Sequence, residues 1–284
     1  MKNVLILALA LLFSGCSNDN KDNKMELTNK DKAVALIESL QTGDQKAVGY
    51  INPNKYIQHN LAVGDGLAGF GEILKNAPAG GFKSEVVRAY QDEDYVVLHT
   101  VYDFFGPKIG FDIFRFEEGL IVEHWDNLIT VAPVNPSGHT QTDGPSKSTN
   151  LDKTKANKTI VENFITTILM NGEMDKIGNF IDAETKDYIQ HNPMISDGLS
   201  GLGGALQAMA ENGITMEYSK IHKVLGEGNF VLTVSEGAFA DAATSFYDLF
   251  RVENGKIVEH WDVMETILSE SEWKNSNGKF NFPN

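Results

Sequence analysis

The sequence predicts an α+β chain built from two tandem domains, each with helices packed on one face of a curved antiparallel sheet. Three observations carry this. First, residues 111–126, FDIFRFEEGLIVEHWD, return as residues 247–262, YDLFRVENGKIVEHWD, with eleven of sixteen positions identical. Second, Tyr56-Ile57-Gln58-His59-Asn60 returns unchanged as Tyr188-Ile189-Gln190-His191-Asn192, and Asp65-Gly66-Leu67 returns as Asp197-Gly198-Leu199. The offset is that of a whole small domain, well beyond the roughly 20–50 residues of a solenoid unit. Third, in each copy the apolar period passes from helical to two, so helices come first and a meander of strands follows.

The elements follow in order. A first helix runs through Ala33, Leu36, Ile37 and Leu40, with Thr28 or Asn29 as its cap and Gly43 as its end. Its counterpart carries Ile160, Phe164, Ile165, Ile168 and Leu169 and stops at Gly172. Short second helices are expected near 44–50 and 173–181, and third helices near 67–76 and 199–212. Strands are expected near 82–91, 94–104, 109–117 and 120–130, and again near 214–225, 229–239, 244–253 and 256–267. Asn254-Gly255 is a strong two-residue hairpin signal, with Glu118-Gly119 its weaker counterpart. The stretch 132–150, rich in Pro, Ser, Thr, Gly and Asn, reads as an extended linker. Residues 270–284 read as a loosely held polar tail. The domains are thus expected at 27–131 and 151–269.

The net charge of −15 argues against a nucleic-acid partner, which needs a basic face. At the N-terminus, Met1-Lys2-Asn3 and the apolar run Val4 to Phe13 lead to Ser14-Gly15-Cys16. The run is too short to span a bilayer. This ending resembles a bacterial lipobox, departing from it where Leu12 sits one place early. It implies a signal peptide over 1–15, lipidation of Cys16, a tether over 16–26, and anchoring to the cell envelope, the outer membrane being favoured. Cys16 is the only cysteine, so no disulfide forms within one chain.

On the last strand of repeat one, alternation places His124 and Asp126 on one face and Glu123 and Trp125 on the other, with Val122 joining the first and Ile121 the second. A covered His–Asp pair can divide acid and base roles. His260 and Asp262 are its counterpart. Asp112 and Arg115, and likewise Asp248 and Arg251, lie on opposite faces of the neighbouring strand, and Arg115 is placed to pair with Glu123. His99 lies in the second strand and aligns with Val234.

YIQHN followed by Asp-Gly, then DxFRxxxGxIVEHWD, resembles the SnoaL-like branch of the NTF2-like superfamily, over nearly all of both repeats. The resemblance implies two tandem cones, each with a deep pocket for a small apolar or carbonyl-containing molecule. It implies that His59, His99, His124 and Asp126 line the first pocket, and His191, His260 and Asp262 the second. Tyr56, Asp65, Asp112, Tyr188, Asp197 and Asp248 complete the expected ligand-binding set. Leu61 replaces the family's Pro, kept as Pro193, and Val234 replaces its His. If there is catalysis, it is proton transfer next to a carbonyl, with repeat one, which keeps His99, expected to carry more of it. No cofactor or metal is expected, because no close metal-ligand spacing occurs. Enzyme, non-catalytic binding module and interaction scaffold all remain open, as does pairing of the two domains as an intrachain pseudo-dimer.

Overall fold

A computed structural model describes residues 26–78, 81–182 and 188–283. The expected signal peptide, Cys16 and nearly all of the tether lie outside the described residues. Among the described residues no helix is long and apolar enough to cross a membrane.

The first domain contains helices α1 (Asn29–Thr42), α2 (Gln45–Val48) and α3 (Gly66–Lys75) and strands β1 (Ile57–Gln58), β2 (Lys83–Asp92), β3 (Tyr95–Asp103), β4 (Pro107–Glu117) and β5 (Leu120–Thr130). Thr28 caps α1 in a capping box with Asp31, and Gly43 closes it in the left-handed conformation. The second domain repeats the plan with α4 (Thr154–Phe164), α5 (Gly198–Glu211), β6 (Ile189–Gln190), β7 (Met216–Glu227), β8 (Phe230–Phe239), β9 (Ala242–Glu253) and β10 (Lys256–Thr266). The expected long helix of repeat two differs after Phe164, where Ile165–Met170 forms a π-helical turn. The following short helix is a 3₁₀ segment, Met174–Asn179.

The sheets have matching orders, β1-β5-β4-β3-β2 and β6-β10-β9-β8-β7. The two-residue β1 pairs parallel to β5, aligning Gln58 with His124, and β6 aligns Gln190 with His260 in the same way. A β-bulge between Arg115 and Phe116 shifts the register opposite Val122. Ile121 therefore packs with Leu36 and Phe116 on the helix side, correcting the simple alternation that placed it on the other face.

Each sheet has two covered faces. The inner faces meet α1 and α4 in separate cores. The outer faces pack against each other in one shared core that includes Tyr90, Phe111, Ile113 and Trp125 from the first domain and Phe230, Tyr247, Leu249 and Trp261 from the second.

The linker and tail are not loose. Each leaves the last strand of one domain and straps the other. In the linker, Asn135 Nδ2 donates to the Gln190 and Ile195 carbonyls at 2.6 and 3.1 Å, and the Thr140 carbonyl lies 2.7 Å from His191 Nδ1. In the tail, Asn275 Nδ2 donates to the Asn60 and Val63 carbonyls at 2.7 and 2.9 Å, and the Gly278 carbonyl lies 2.6 Å from His59 Nδ1. Composition misled here because side-chain amides and carbonyls that suit a solvated loop also serve a docked one.

Candidate functional site

The covered cavity lies inside each cone, under the helices. Alternation along β5 and β4 sends His124, Asp126, Asp112 and Phe114 into it. The short β1 adds Gln58, with Tyr56 just before it and Asn60 just beyond. In the second domain the equivalent Asp248, Phe250, His260, Asp262, Tyr188, Gln190 and Asn192 line the cavity. The sequence identified the His–Asp pairs, the tyrosines and Asp112 and Asp248, and all of them line the cavities. It missed Gln58, Asn60 and their twins, although period two through YIQHN places Tyr, Gln and Asn on one face.

The same hydrogen-bond chain is built twice. His124 Nε2 lies 3.2 Å from Asp112 Oδ1 and its Nδ1 lies 3.1 Å from Gln58 Oε1. His260 Nε2 lies 3.1 Å from Asp248 Oδ1 and its Nδ1 lies 3.1 Å from Gln190 Oε1. Asn60 Nδ2 donates to Asp126 Oδ2 at 2.8 Å, and Asn192 Nδ2 to Asp262 Oδ2 at 2.7 Å.

A tyrosine also donates to the middle Asp in both copies, but from different strands. Tyr102 on β3 reaches Asp112 Oδ2 at 2.6 Å. Tyr218 on β7 reaches the Asp248 carboxylate at 3.2 Å. By register, Ser84 pairs with Tyr102 where Tyr218 pairs with Gly237, so the two strands have exchanged the ring. A Cβ on Gly237 would lie 1.8 Å from the Glu217 carbonyl oxygen, so no side chain fits there. A buried carboxylate left without its donor costs about 1–3 kcal/mol or more, which explains why the hydroxyl reappears from elsewhere.

The remaining expected site residues lie outside the cavities. His59 follows Gln58 in an extended segment and therefore points the other way. It stacks on Trp125 with centroids 4.5 Å apart, and its Nε2 lies 2.8 Å from Glu123 Oε1. His191 does the same on Trp261 at 4.6 Å, with Glu259 at 2.9 Å. Glu123 also accepts from Arg115 Nε at 2.7 Å, the pairing the sequence suggested. His99 shares its face of β3 with Val97, not with Tyr102. It stacks on Phe111 at 4.3 Å and lies 3.1 Å from Arg88 Nη1. Burial, Arg88 and His191 hold its pKa well below the usual imidazole range. Asp65 and Asp197 bond the Gln58 and Gln190 amides at 3.0 Å each and then reach the straps, through Asn277 and His139 respectively. These residues fix loops and the interface; none lines either cavity.

The two cavities differ in size. The first holds about 70 Å³ and the second about 400 Å³. Only the second falls in the roughly 300–1,000 Å³ range of small-molecule sites. The ring of Tyr102 lines the first, where the second has Gly237 at the matching register.

In the second site, burial pulls the His260 pKa down, but the Asp248 hydrogen bond and the Asp262 and Asp248 charges outweigh it and raise it. Burial is the main cause that raises the Asp262 pKa, partly offset by His260. Both groups hold protons more tightly folded than unfolded, so each makes stability fall as pH rises. For Asp262 the fall begins above the ordinary carboxyl value, and for His260 above about pH 6.5. The melting temperature should therefore decline from neutral into mildly alkaline pH, and His260→Gln should flatten that decline. A variant melting with the wild-type slope over the same buffers would contradict this assignment. Asp112, His124 and Asp126, and their twins, offer ligand atoms within 4.8 Å of one another. In both sets the two ring nitrogens already face Gln and Asp oxygens, so a bound cation would displace part of the chain.

No protein-family profile matches the sequence, and no curated protein does. Solved structures similar to single domains exist. An NTF2-like protein of unknown function from Cytophaga hutchinsonii is 17% identical, over 37% of this chain and 94% of its own, with a TM-score of 0.33. A protein of unknown function with a cystatin-like fold from Xanthomonas campestris is 26% identical, over 42% of this chain and 98% of its own, with a TM-score of 0.33. IdmH from Streptomyces antibioticus, named as a candidate polyketide cyclase, is 20% identical, over 36% of this chain and 92% of its own, with a TM-score of 0.31.

Proposed function

We propose that the second domain is an acid–base site for a small carbonyl compound, and that the first domain supports it. One observation carries this reading: a carboxyl with a raised pKa, Asp262, stands beside His260 at the polar end of an otherwise apolar 400 Å³ cavity. Asp262 is the general base that removes the proton next to the carbonyl, and Asn192 holds its other oxygen. The Tyr188 hydroxyl accepts from Gln190 Nε2 at 2.9 Å, leaving its own proton to donate to the developing enolate oxygen. Burial keeps that phenol protonated. The proton on Asp262 then goes to a different carbon of a conjugated enolate, giving isomerisation, or the enolate carbon bonds to an internal carbonyl carbon and the resulting alkoxide takes that proton, giving cyclisation. His260 acts on Asp262 through its charge, because both its ring nitrogens are engaged.

The test is exchange of the α-protons of neutral ketones in heavy water, followed by proton NMR. Exchange above the buffer rate that disappears in Asp262→Asn supports the reading. Binding without exchange selects the second reading, a non-catalytic binding module, which the full engagement of His260 favours.

Anchoring to the cell envelope through lipidated Cys16 is proposed from the sequence alone. The wild-type protein is expected to partition with membranes and Cys16→Ala to be released. Acyl chains on the Cys16→Ala protein by mass spectrometry would refute it.

A further inference from the structure

We propose that the second-domain cavity selects uncharged molecules bearing a long, flexible aliphatic chain, and turns away carboxylates. This rests on the reading of that cavity as the ligand site and names its ligand class.

Four methionines, Met194, Met209, Met216 and Met264, line the cavity. The first repeat, residues 27–131, contains no methionine at all. Unbranched thioether side chains adapt to ligands of differing shape, which rigid branched side chains do not. Met194 is 81% exposed and Ile214 37% exposed, so apolar groups continue from the cavity into solvent and mark a route for a chain. Helix α5 borders the cavity. It carries glycines at 198, 201, 203 and 204, and none of its residues is buried although Leu202, Leu206 and Met209 line the space. Leu199 and Leu202 pack against the domain core, whereas Leu206 and Met209 are half-buried and face the space, and such an apolar helical edge needs another apolar body to cover it.

Charge sets the other half of the selection. Among the described residues no Lys or Arg lines the cavity, and its charged groups are Asp248, Asp262 and His260. The tyrosines facing them, Tyr188 and Tyr218, are held protonated by burial and by those aspartates. A ligand carboxylate entering this end would be desolvated beside two like charges with one imidazolium between them, whereas a neutral carbonyl meets a hydroxyl donor.

The experiment uses the full chain and the neutral fluorophore phenylnaphthylamine, displaced by methyl nonyl ketone or by laurate in mildly alkaline buffer. The ketone should displace the dye at an at least about tenfold lower concentration than laurate, the low end of a like-charge penalty. Asp262→Asn should narrow that gap by admitting laurate. Leu206→Trp, whose folding is checked by its melting curve, should weaken dye binding by filling the cavity. Equal displacement by ketone and laurate on the wild type overturns the proposal, as does undiminished dye binding by a folded Leu206→Trp. Ketone selectivity without any α-proton exchange leaves this proposal standing and removes the catalytic one.

Discussion

Deleting residues 273–284 should destabilise the first domain more than the second from which they extend, by about 1.5–3 kcal/mol, the range for burying one such side chain, since Phe280 and Phe282 are both partly buried. The Phe282 ring stacks on Trp125 with centroids 4.3 Å apart and planes 9° apart. Asn277 Nδ2 donates to the Gln58 carbonyl at 3.0 Å, and Lys279 Nζ donates to the Asp126 carbonyl at 2.8 Å. Without the tail, Trp125 loses its cover and the Asn60–Val63 segment loses Asn275. Hydrogen exchange followed by mass spectrometry should show β1 and β5 opening more than β6 and β10, the tail touching the second-domain sheet through Lys279 on Glu265, Phe280 on His222 and Phe282 near Lys223 among the described side-chain contacts. Loss of protection confined to the second domain would show that the tail serves its own domain. The linker plays the reciprocal part, since Trp261 Nε1 donates to the Asp143 carbonyl at 3.0 Å and the Arg88 guanidinium lies 4.5 Å from the Trp261 ring centroid. Each domain therefore completes the other, which two independent domains on a flexible linker would not do.

Asp262→Asn should lower the rate of proton exchange by about 100-fold or more, the low end for a positioned base, whereas Asp126→Asn should change it by less than about threefold, because the first site does not carry the chemistry. The substitution keeps the bond to Asn192 available in form but removes the basic oxygen. Asp126 shares with it the bond from the equivalent Asn, yet it faces a cavity of about 70 Å³, and its Oδ1 is buried with no partner. That volume suits water rather than a carbonyl compound with a chain. The two variants share a fold context, so the contrast between them separates chemistry from stability. Equal losses in both would mean that the effect is structural.

Much of this arrangement was legible in the sequence. The helix-then-strand order of each half and the shared face of His124 and Asp126 follow from period alone. The histidines misled where the resemblance was allowed to outweigh period: His59 stacks on Trp125 and His99 shares the face of Val97, whose face packs between the sheets. The expectation that repeat one carries more of the chemistry rested on His99, which lies outside the cavity. Other features had no local signal. The tyrosine donor passes between strands, from Tyr102 to Tyr218, and only the pairing register relates the two. The straps bind through backbone carbonyls of distant loops, so nothing near Asn135 or Asn275 announces them. The difference in cavity volume has no signal in the aligned residues, since a tyrosine ring lines both cavities.

The most direct test is a crystal structure of the full chain with a brominated aliphatic methyl ketone, located by anomalous scattering. The expected result is bromine under α5 in the second cavity, with the carbonyl oxygen at Tyr188 and its α-carbon against Asp262. Bromine in the first cavity, or between the two sheets with the second cavity empty, would contradict the assignment of the second domain as the working site.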